Sequence, residues 1–457
     1  MPAKNSLHQL QITDINNLGY GVGHIDGKVV FVAGAADGDL CTVRIIKDAA
    51  DYAVGRIEEW LTPSPHRVKN TCQAKGCGGC AYRHISYPHE LELKQRRVVA
   101  AFRKAGLSLP VTPVLHTGKT EGYRNKAQYP VAPGKEGPVI GFFAPKSHRV
   151  TEAAHCPLLP PVFGEIAEAV RDHARRFGIP AYDETTGRGL LRHICLRASA
   201  DEAEILLTLV TTRLAYPHER ELTETLLARF PALVGILLNE NSANTNVILG
   251  PRYRLLTGRD YLQDTLCGIR LRITPPSFYQ VNHAAAELLY RTAAEEAALT
   301  GNEALLDLYC GIGSIGLSMA HRVREIFGIE IVESAVLCAR KNAEENHVRH
   351  ARFAVGDAAG TEKILQEAGG FSPDVIVLDP PRRGADAETL RTVLTLAPEK
   401  LLYISCNPDT LARDMSFLLG HGYTAARVIP VDLFPRTGHV ECVVMMSKTD
   451  KRIEDKK

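Results

Sequence analysis

The sequence predicts an α/β protein: a doubly wound parallel sheet in its C-terminal part, preceded by a small β-barrel and a central α+β segment. Three observations predict it. From about residue 271 onward, apolar strands alternate regularly with helical stretches, the pattern of a parallel sheet covered on both faces. Residues 9–60 instead run in short strand-like pieces, KVVFVAGA, CTVRII and YAVGRI, punctuated by Gly19, Gly21, Gly23, Gly34 and Gly38, as a closed barrel of the OB type requires. Finally, 457 residues exceed what one hydrophobic core serves. The expected units are residues 1–60, 61–265 and 266–457.

The barrel stretch LGYGVGHIDGKVVFVAGAADGD resembles the TRAM domain of RNA-modifying enzymes, although small barrels also dock proteins. TPSPHR at 62–67 reads as a linker. Cys72, Cys77 and Cys80 follow in TCQAKGCGGC, with Cys156 in AHCPLL as a candidate fourth ligand. In a reducing compartment such a cluster reads as metal binding or catalysis rather than disulfides. Gaps of four and then two residues match iron–sulfur ligand spacing, and Gly76, Gly78 and Gly79 let the backbone wrap closely around a metal centre. Zinc competes, because four thiolates also close a tetrahedral site.

Residues 61–150 carry 15 Lys/Arg against 4 acidic residues, a local +11 in a chain of net +2. A basic segment in an otherwise acidic chain points to a polyanion, most simply nucleic acid. A solvated face on a helix expected over 89–105 accounts for the same charges. No apolar run approaches the roughly 18–20 residues of a spanning helix, and MPAKNSLHQL has no signal-peptide core. A cytoplasmic monomer without a membrane partner is expected.

Residues 111–265 mix strands such as AEILLTLVTT with an amphipathic helix near 160–177, and their order is not legible from pattern. The C-terminal elements follow in sequence: strand ALLDLY, helix SIGLSMAHR, strand EIFGIEI, helix ESAVLCARKNAEEN, strand ARFAVGD, a helix, strand DVIVLDP, a helix, and strand LLYISC. This is a Rossmann-like arrangement. The tail KTDKRIEDKK is expected to be disordered.

DLYCGIGSIG places Gly311, Gly313 and Gly316 between a strand and a helix, where glycines permit a tight turn and close approach to a ligand. Alone this GxGxxG is weak. The next strand ends in Glu330, suited to ribose hydroxyls, and the third in Asp357, suited to an adenine edge. The fourth ends in DPPRRG, where Pro380 and Pro381 hold Asp379 at the carboxyl edge of the sheet. Together they read as an S-adenosyl-L-methionine pocket.

LLYISCNPDTL runs an apolar strand into Cys406 and then turns. Taken singly, Cys406 reads as core packing and Glu441 as a surface carboxylate. DPP followed by Tyr would point to an exocyclic amine, but Arg382 stands there. Carbon 5 of uracil needs different help: a thiolate that adds to carbon 6, and a base that removes the carbon 5 proton. Glu441, in DLFPRTGHVECVV, is the base candidate.

DPPRRG, SCNP, FPRTGHVE and FYQVN (278–282), with CGGC and YRNKAQY, closely resemble the RNA uridine-5-methyltransferase family over nearly the whole chain. The resemblance implies Cys406 as nucleophile and Glu441 as base, with Gln280, Tyr309, Glu330 and Asp379 touching the methyl donor. It also implies a [4Fe-4S] cluster on Cys72, Cys77, Cys80 and Cys156, although four residues separate the first two where the family has five. With TRAM domain and cluster together, it implies 23S ribosomal RNA. Gln280 and Asn282 also read as helix caps and Tyr309 as strand packing; Cys310, Cys338 and Cys442 read as packing.

A base in folded RNA must be flipped out or unpaired to meet such a thiol, while barrel and basic segment hold phosphates. The competing readings are transfer-RNA methylation, cytosine-5 methylation, and a non-catalytic RNA-binding or chaperone protein on the same fold.

Overall fold

The computed structural model describes residues 2–449; from residue 450 the tail expected to be disordered lies outside the described residues. Six strands open the chain: β1 (Leu7–Gln11), β2 (Asp14–Ile15), β3 (Tyr20–Ile25), β4 (Lys28–Ala33), β5 (Leu40–Asp48) and β6 (Tyr52–Thr62). They pair in the order β1-β5-β6-β4-β3-β2. Because β1 and β2 are halves of one segment, this order returns the sheet to its own start. Alternate residues Val30, Val32, Val43 and Ile45 fill the interior, the period-two pattern of a strand with one face buried.

Helix α1 (Tyr87–Lys104) begins with Pro88 near its start, where a missing N–H costs nothing. It lies in the expected central segment, yet it buries Val98 and Phe102 in the core of the C-terminal sheet, beside Leu411 and Met415. Parallel bridges Val111↔Val428 and Leu115↔Val431 continue that attachment.

The central sheet comprises β7 (Lys126–Ala132), β8 (Val139–Phe143), β9 (Val150–Glu152), β10 (Leu191–Ala198), β11 (Ile205–Thr211), β12 (Leu233–Glu240) and β13 (Arg252–Gly258), ordered β13-β12-β11-β10-β7-β8-β9. Helices α2 (Pro161–Arg176), the amphipathic helix expected there, and α3 (Glu219–Arg229) cover Leu207 and Leu209 on one face. The other face, through Leu206 and Leu237, packs on the hairpin β14 (Leu262–Leu266) and β15 (Ile269–Ile273) and on α4 (His283–Ala297).

The last sheet holds β16 (Ala304–Leu308), β17 (Glu325–Glu330), β18 (Ala351–Val355), β19 (Val375–Leu378), β20 (Lys400–Ser405), β21 (Tyr423–Ala425), β22 (Ile429–Val431) and β23 (Glu441–Lys448). Its order is β18-β17-β16-β19-β20-β23-β21, with β16 to β20 parallel and β23 antiparallel. Helices α5 (Ser314–Ser318), α6 (Glu333–Glu345), α7 (Thr361–Glu367), α8 (Ala387–Leu396) and α9 (Pro408–Leu419) complete it. The expected helix SIGLSMAHR is shorter than its pattern: Ser318 Oγ bonds back to Ile315 O, and a 3₁₀ turn follows at Ala320–Arg322. Chain order reverses between β16 and β19, and the carboxyl edge there is where open α/β sheets bind ligands. Among the described residues no helix is long and apolar enough to cross a membrane.

Candidate active site

After β16 the chain turns through Tyr309, Gly311 and Gly313, whose φ angles are 66°, 56° and 80°. Glycine adopts these freely, whereas tyrosine is strained there by about 1–2 kcal/mol. Its ring is held at the switch point, with the hydroxyl 3.4 Å from Thr389 Oγ1. A Cβ on Gly311 would meet nothing within 4 Å, while one on Gly313 would press on Leu317 and Phe353 at 3.2 Å. Gly311 therefore borders open space, while Gly313 lies close against Leu317 and Phe353.

Glu330 fastens this loop, its carboxylate accepting from Gly311 N at 3.1 Å and Val332 N at 2.9 Å. Asp357 is exposed and accepts from Ala359 N at 3.0 Å. Asn282, not Gln280, caps α4, accepting from Ala285 N at 3.3 Å. Gln280 is buried with its side chain beside the Tyr290 hydroxyl, which lies 3.1 Å from Ser314 Oγ.

The antiparallel register of β20 and β23 sets Ser405 opposite Cys442. Continued by one residue, it sets Cys406 across from Glu441. Between the glycine loop and this pair runs β19, whose Leu378 faces Leu308 on one side and Tyr403 on the other, so Asp379 leaves the sheet between that loop and the thiol. Asn407 turns the chain into α9: it accepts from Asp409 N at 3.2 Å and donates to Arg382 O at 3.0 Å. Cys406 consequently sits beside the positive end of a helix, which favours a thiolate.

Electrostatics in this corner work against charge. Burial, then the neighbouring Asp379, pushes the Glu441 carboxyl up to about 8, with Arg382 opposing. Burial, then Glu441 and Asp379, pushes Cys406 up to about 11, again with Arg382 opposing. Burial lifts Asp379 to about 7. Acids that hold protons near neutrality beside a thiol are suited to proton exchange.

No motif marks Asp307, and the motif that contains Arg382 does not disclose its part in the site's charge balance. Asp307 is buried within β16, where Oδ2 accepts from Gly316 N at 2.9 Å and Oδ1 has no partner. Burial, with Asp379 and Glu330 adding to it, lifts its carboxyl to about 7; the only signal was a lone acid in ALLDLY. Arg382 supplies the compensating charge, and its guanidinium lies 3.3 Å from His439 Nε2. The YRNK stretch proves to be scaffolding: Tyr123 donates to Pro435 O at 2.9 Å and Asn125 Nδ2 to Gln280 O at 3.0 Å. Cys310, Cys338 and Cys442 are buried as packing.

Cys72, Cys77, Cys80 and Cys156 line one cavity of about 390 Å³, walled also by Arg83, Arg124 and Lys126. Burial pushes Cys80 up to about 12, and Cys77 and Cys156 upward, with neighbouring thiols adding to each. The four surround a space rather than meet at one point: among the described residues no three such side chains converge as ligands of a single ion.

The tRNA (uracil-5-)-methyltransferase family description matches residues 219–449, and that of the TRAM domain residues 8–57. An uncharacterized RNA methyltransferase of Halalkalibacterium halodurans is 38% identical over 448 residues, 97% of each chain. One of Listeria monocytogenes is 39% identical over 446 residues, 97% of this chain and 98% of its own. The chain belongs to the tRNA (uracil-5-)-methyltransferase family. The crystal structure of Pyrococcus abyssi tRNA (uracil-54, C5)-methyltransferase in complex with S-adenosyl-L-homocysteine superposes with a TM-score of 0.76 at 26% identity, covering 96% of this chain and 100% of that one. This uracil-5-methyltransferase thus joins an N-terminal TRAM barrel to a family domain that ends in the C-terminal sheet.

Proposed function

We propose that this methyltransferase converts a uridine of structured RNA, in 23S ribosomal RNA, to 5-methyluridine through a covalent bond to Cys406. The observation that carries the reading is the β20/β23 register, which opposes Cys406 and Glu441 beside Asp379. The Cys406 thiolate adds to carbon 6 of the uracil, and the electron pair released to carbon 5 takes up the methyl group as its bond to the donor's sulfonium breaks, that sulfur keeping the pair and leaving as a neutral thioether. Glu441 then removes the carbon 5 proton. As the ring double bond returns, the carbon–sulfur bond breaks and the thiolate leaves.

The donor, when bound, supplies an electrophilic methyl group and a positive sulfonium. Gln280, Tyr309, Gly311, Gly313, Glu330, Asp357 and Asp379 would hold it. Glu330 keeps the glycine loop in place and would offer its remaining lone pairs to ribose hydroxyls, and Asp379 would orient the uracil. Arg382 and the α9 terminus favour the thiolate against the burial that opposes it. Residues 1–60 and the basic stretch of 61–265 would grip phosphates, and residues 266–457 carry the chemistry of a cytoplasmic monomer.

The four-cysteine cavity suits a [4Fe-4S] cluster better than zinc, whose ligands must all approach one ion to about 2.3 Å. Cys72, Cys77, Cys80 and Cys156 would hold it, with Arg83, Arg124 and Lys126 balancing its thiolates. It would brace its surroundings, since the loop that bears it packs under the Glu441 loop through Tyr82 N and Arg436 O at 3.0 Å.

Incubation with 5-fluorouridine RNA and labelled donor tests the chemistry. Wild type is expected to form a stable adduct and Cys406→Ser none; turnover by Cys406→Ser would end the proposal. Barrel and cysteine set together support ribosomal RNA, whereas likeness to the Pyrococcus abyssi enzyme favours transfer RNA. Mapping 5-methyluridine in both RNAs from a strain lacking the gene decides between them.

A further inference from the structure

The loop 432–440 joins β22 to β23, and its two ends meet at the Val431↔Glu441 pair. Helix α1 grips it along its length. Lys94 Nζ donates to Asp432 Oδ1 at 2.7 Å, to Phe434 O at 3.1 Å and to Glu90 Oε1 at 2.8 Å. Glu90 Oε1 in turn accepts from Arg436 N at 2.7 Å, Tyr87 donates to Asp432 Oδ2 at 2.7 Å, and Arg97 donates to Gly438 O. The side chains of Lys94, Glu90 and Asp432 are all 0% exposed. A buried ion cluster seldom stabilises a protein more than apolar residues of the same shape. Its contacts here are instead distributed over the backbone that leads into Glu441.

We infer that Lys94 is a positioning residue for the Glu441 step: it fixes loop 432–440 so that the carboxylate meets the carbon 5 proton after methyl transfer. The inference rests on the covalent reading proposed above. Since Lys94 reaches neither Cys406 nor the donor loop, its loss should slow elimination and spare thiol addition. The reaction would then stall with the Cys406 sulfur bonded to carbon 6, the methyl group on carbon 5 and the proton still in place.

Lys94→Met is assayed with uridine RNA and labelled donor, with adducts resolved on denaturing gels. Turnover is expected to fall about tenfold to a hundredfold, as small displacements of a catalytic group do, while a methylated protein–RNA adduct accumulates that wild type does not show. Adduct formation with 5-fluorouridine RNA, which carries no carbon 5 proton, should keep its wild-type rate. Glu90→Gln/Lys94→Met, which leaves no unpaired carboxylate at position 90, is read by the same criteria should the single variant fail to fold. Unchanged turnover, a parallel loss of turnover and fluorouridine adduct, or failure of both variants to fold would each overturn the inference. Failure of wild type to form the fluorouridine adduct would instead strike the covalent reading on which it rests.

Discussion

Glu441→Gln should make the protein more stable and nearly inactive, both by amounts that follow from burial. In the fold this carboxyl titrates near 8 instead of its ordinary 4.5, chiefly through desolvation. The folded chain therefore binds the proton more tightly than the unfolded chain. Stability falls as pH rises through that window, because the unfolded state binds fewer protons. At about 1.4 kcal/mol per pKa unit, the native carboxyl costs about 1 kcal/mol at pH 5 and about 3 kcal/mol at pH 7, levelling off above pH 8. An amide of nearly the same shape escapes the cost, less whatever its unpartnered N–H groups add. Turnover should fall by about 10² to 10⁴, the usual worth of a general base, and the methylated adduct should accumulate. Urea unfolding of both proteins at pH 5, 7 and 8, beside denaturing gels of the reaction, measures each part. A stability difference that ignores pH, a less stable variant at pH 7, or undiminished turnover would refute the reasoning.

RNA affinity should fall steeply with salt, by about 0.7–0.9 log units per log of salt for each phosphate contacted; a filter-binding titration that stays flat would remove the phosphate role of residues 61–150. Gly316→Ala would set a Cβ 3.0 Å from Asp307 Oδ2 and 3.3 Å from Ile326 Cγ2. It should cost about 1–3 kcal/mol of stability and weaken donor binding in calorimetry, and unchanged affinity would separate Asp307 from the donor pocket. Protein prepared without oxygen should contain iron and sulfide that Cys77→Ser lacks; zinc without sulfide would reassign the site.

Much of the C-terminal sheet was legible because its signals are local. Each of β16, β17, β19 and β20 is an apolar run with the marked residue at its carboxyl end or within three residues of it, so Gly311, Glu330, Asp379 and Cys406 could be set on one edge before any contact was known. Cysteine spacing is local in the same way. The central sheet was not legible because β11 is buried on both faces and shows no alternation to orient it.

What tertiary structure alone decided are the meetings between distant segments. Antiparallel β23 enters beside β20, and only that pairing brings Glu441 to Cys406. Helix α1 leaves its neighbours in sequence for the C-terminal core, and only there does Lys94 find Asp432. The physical reason is that periodicity and turn chemistry act over a few residues, whereas desolvation and charge pairing depend on whatever the completed fold packs around a group. The residue types were therefore set by sequence, and their protonation and partners by the fold.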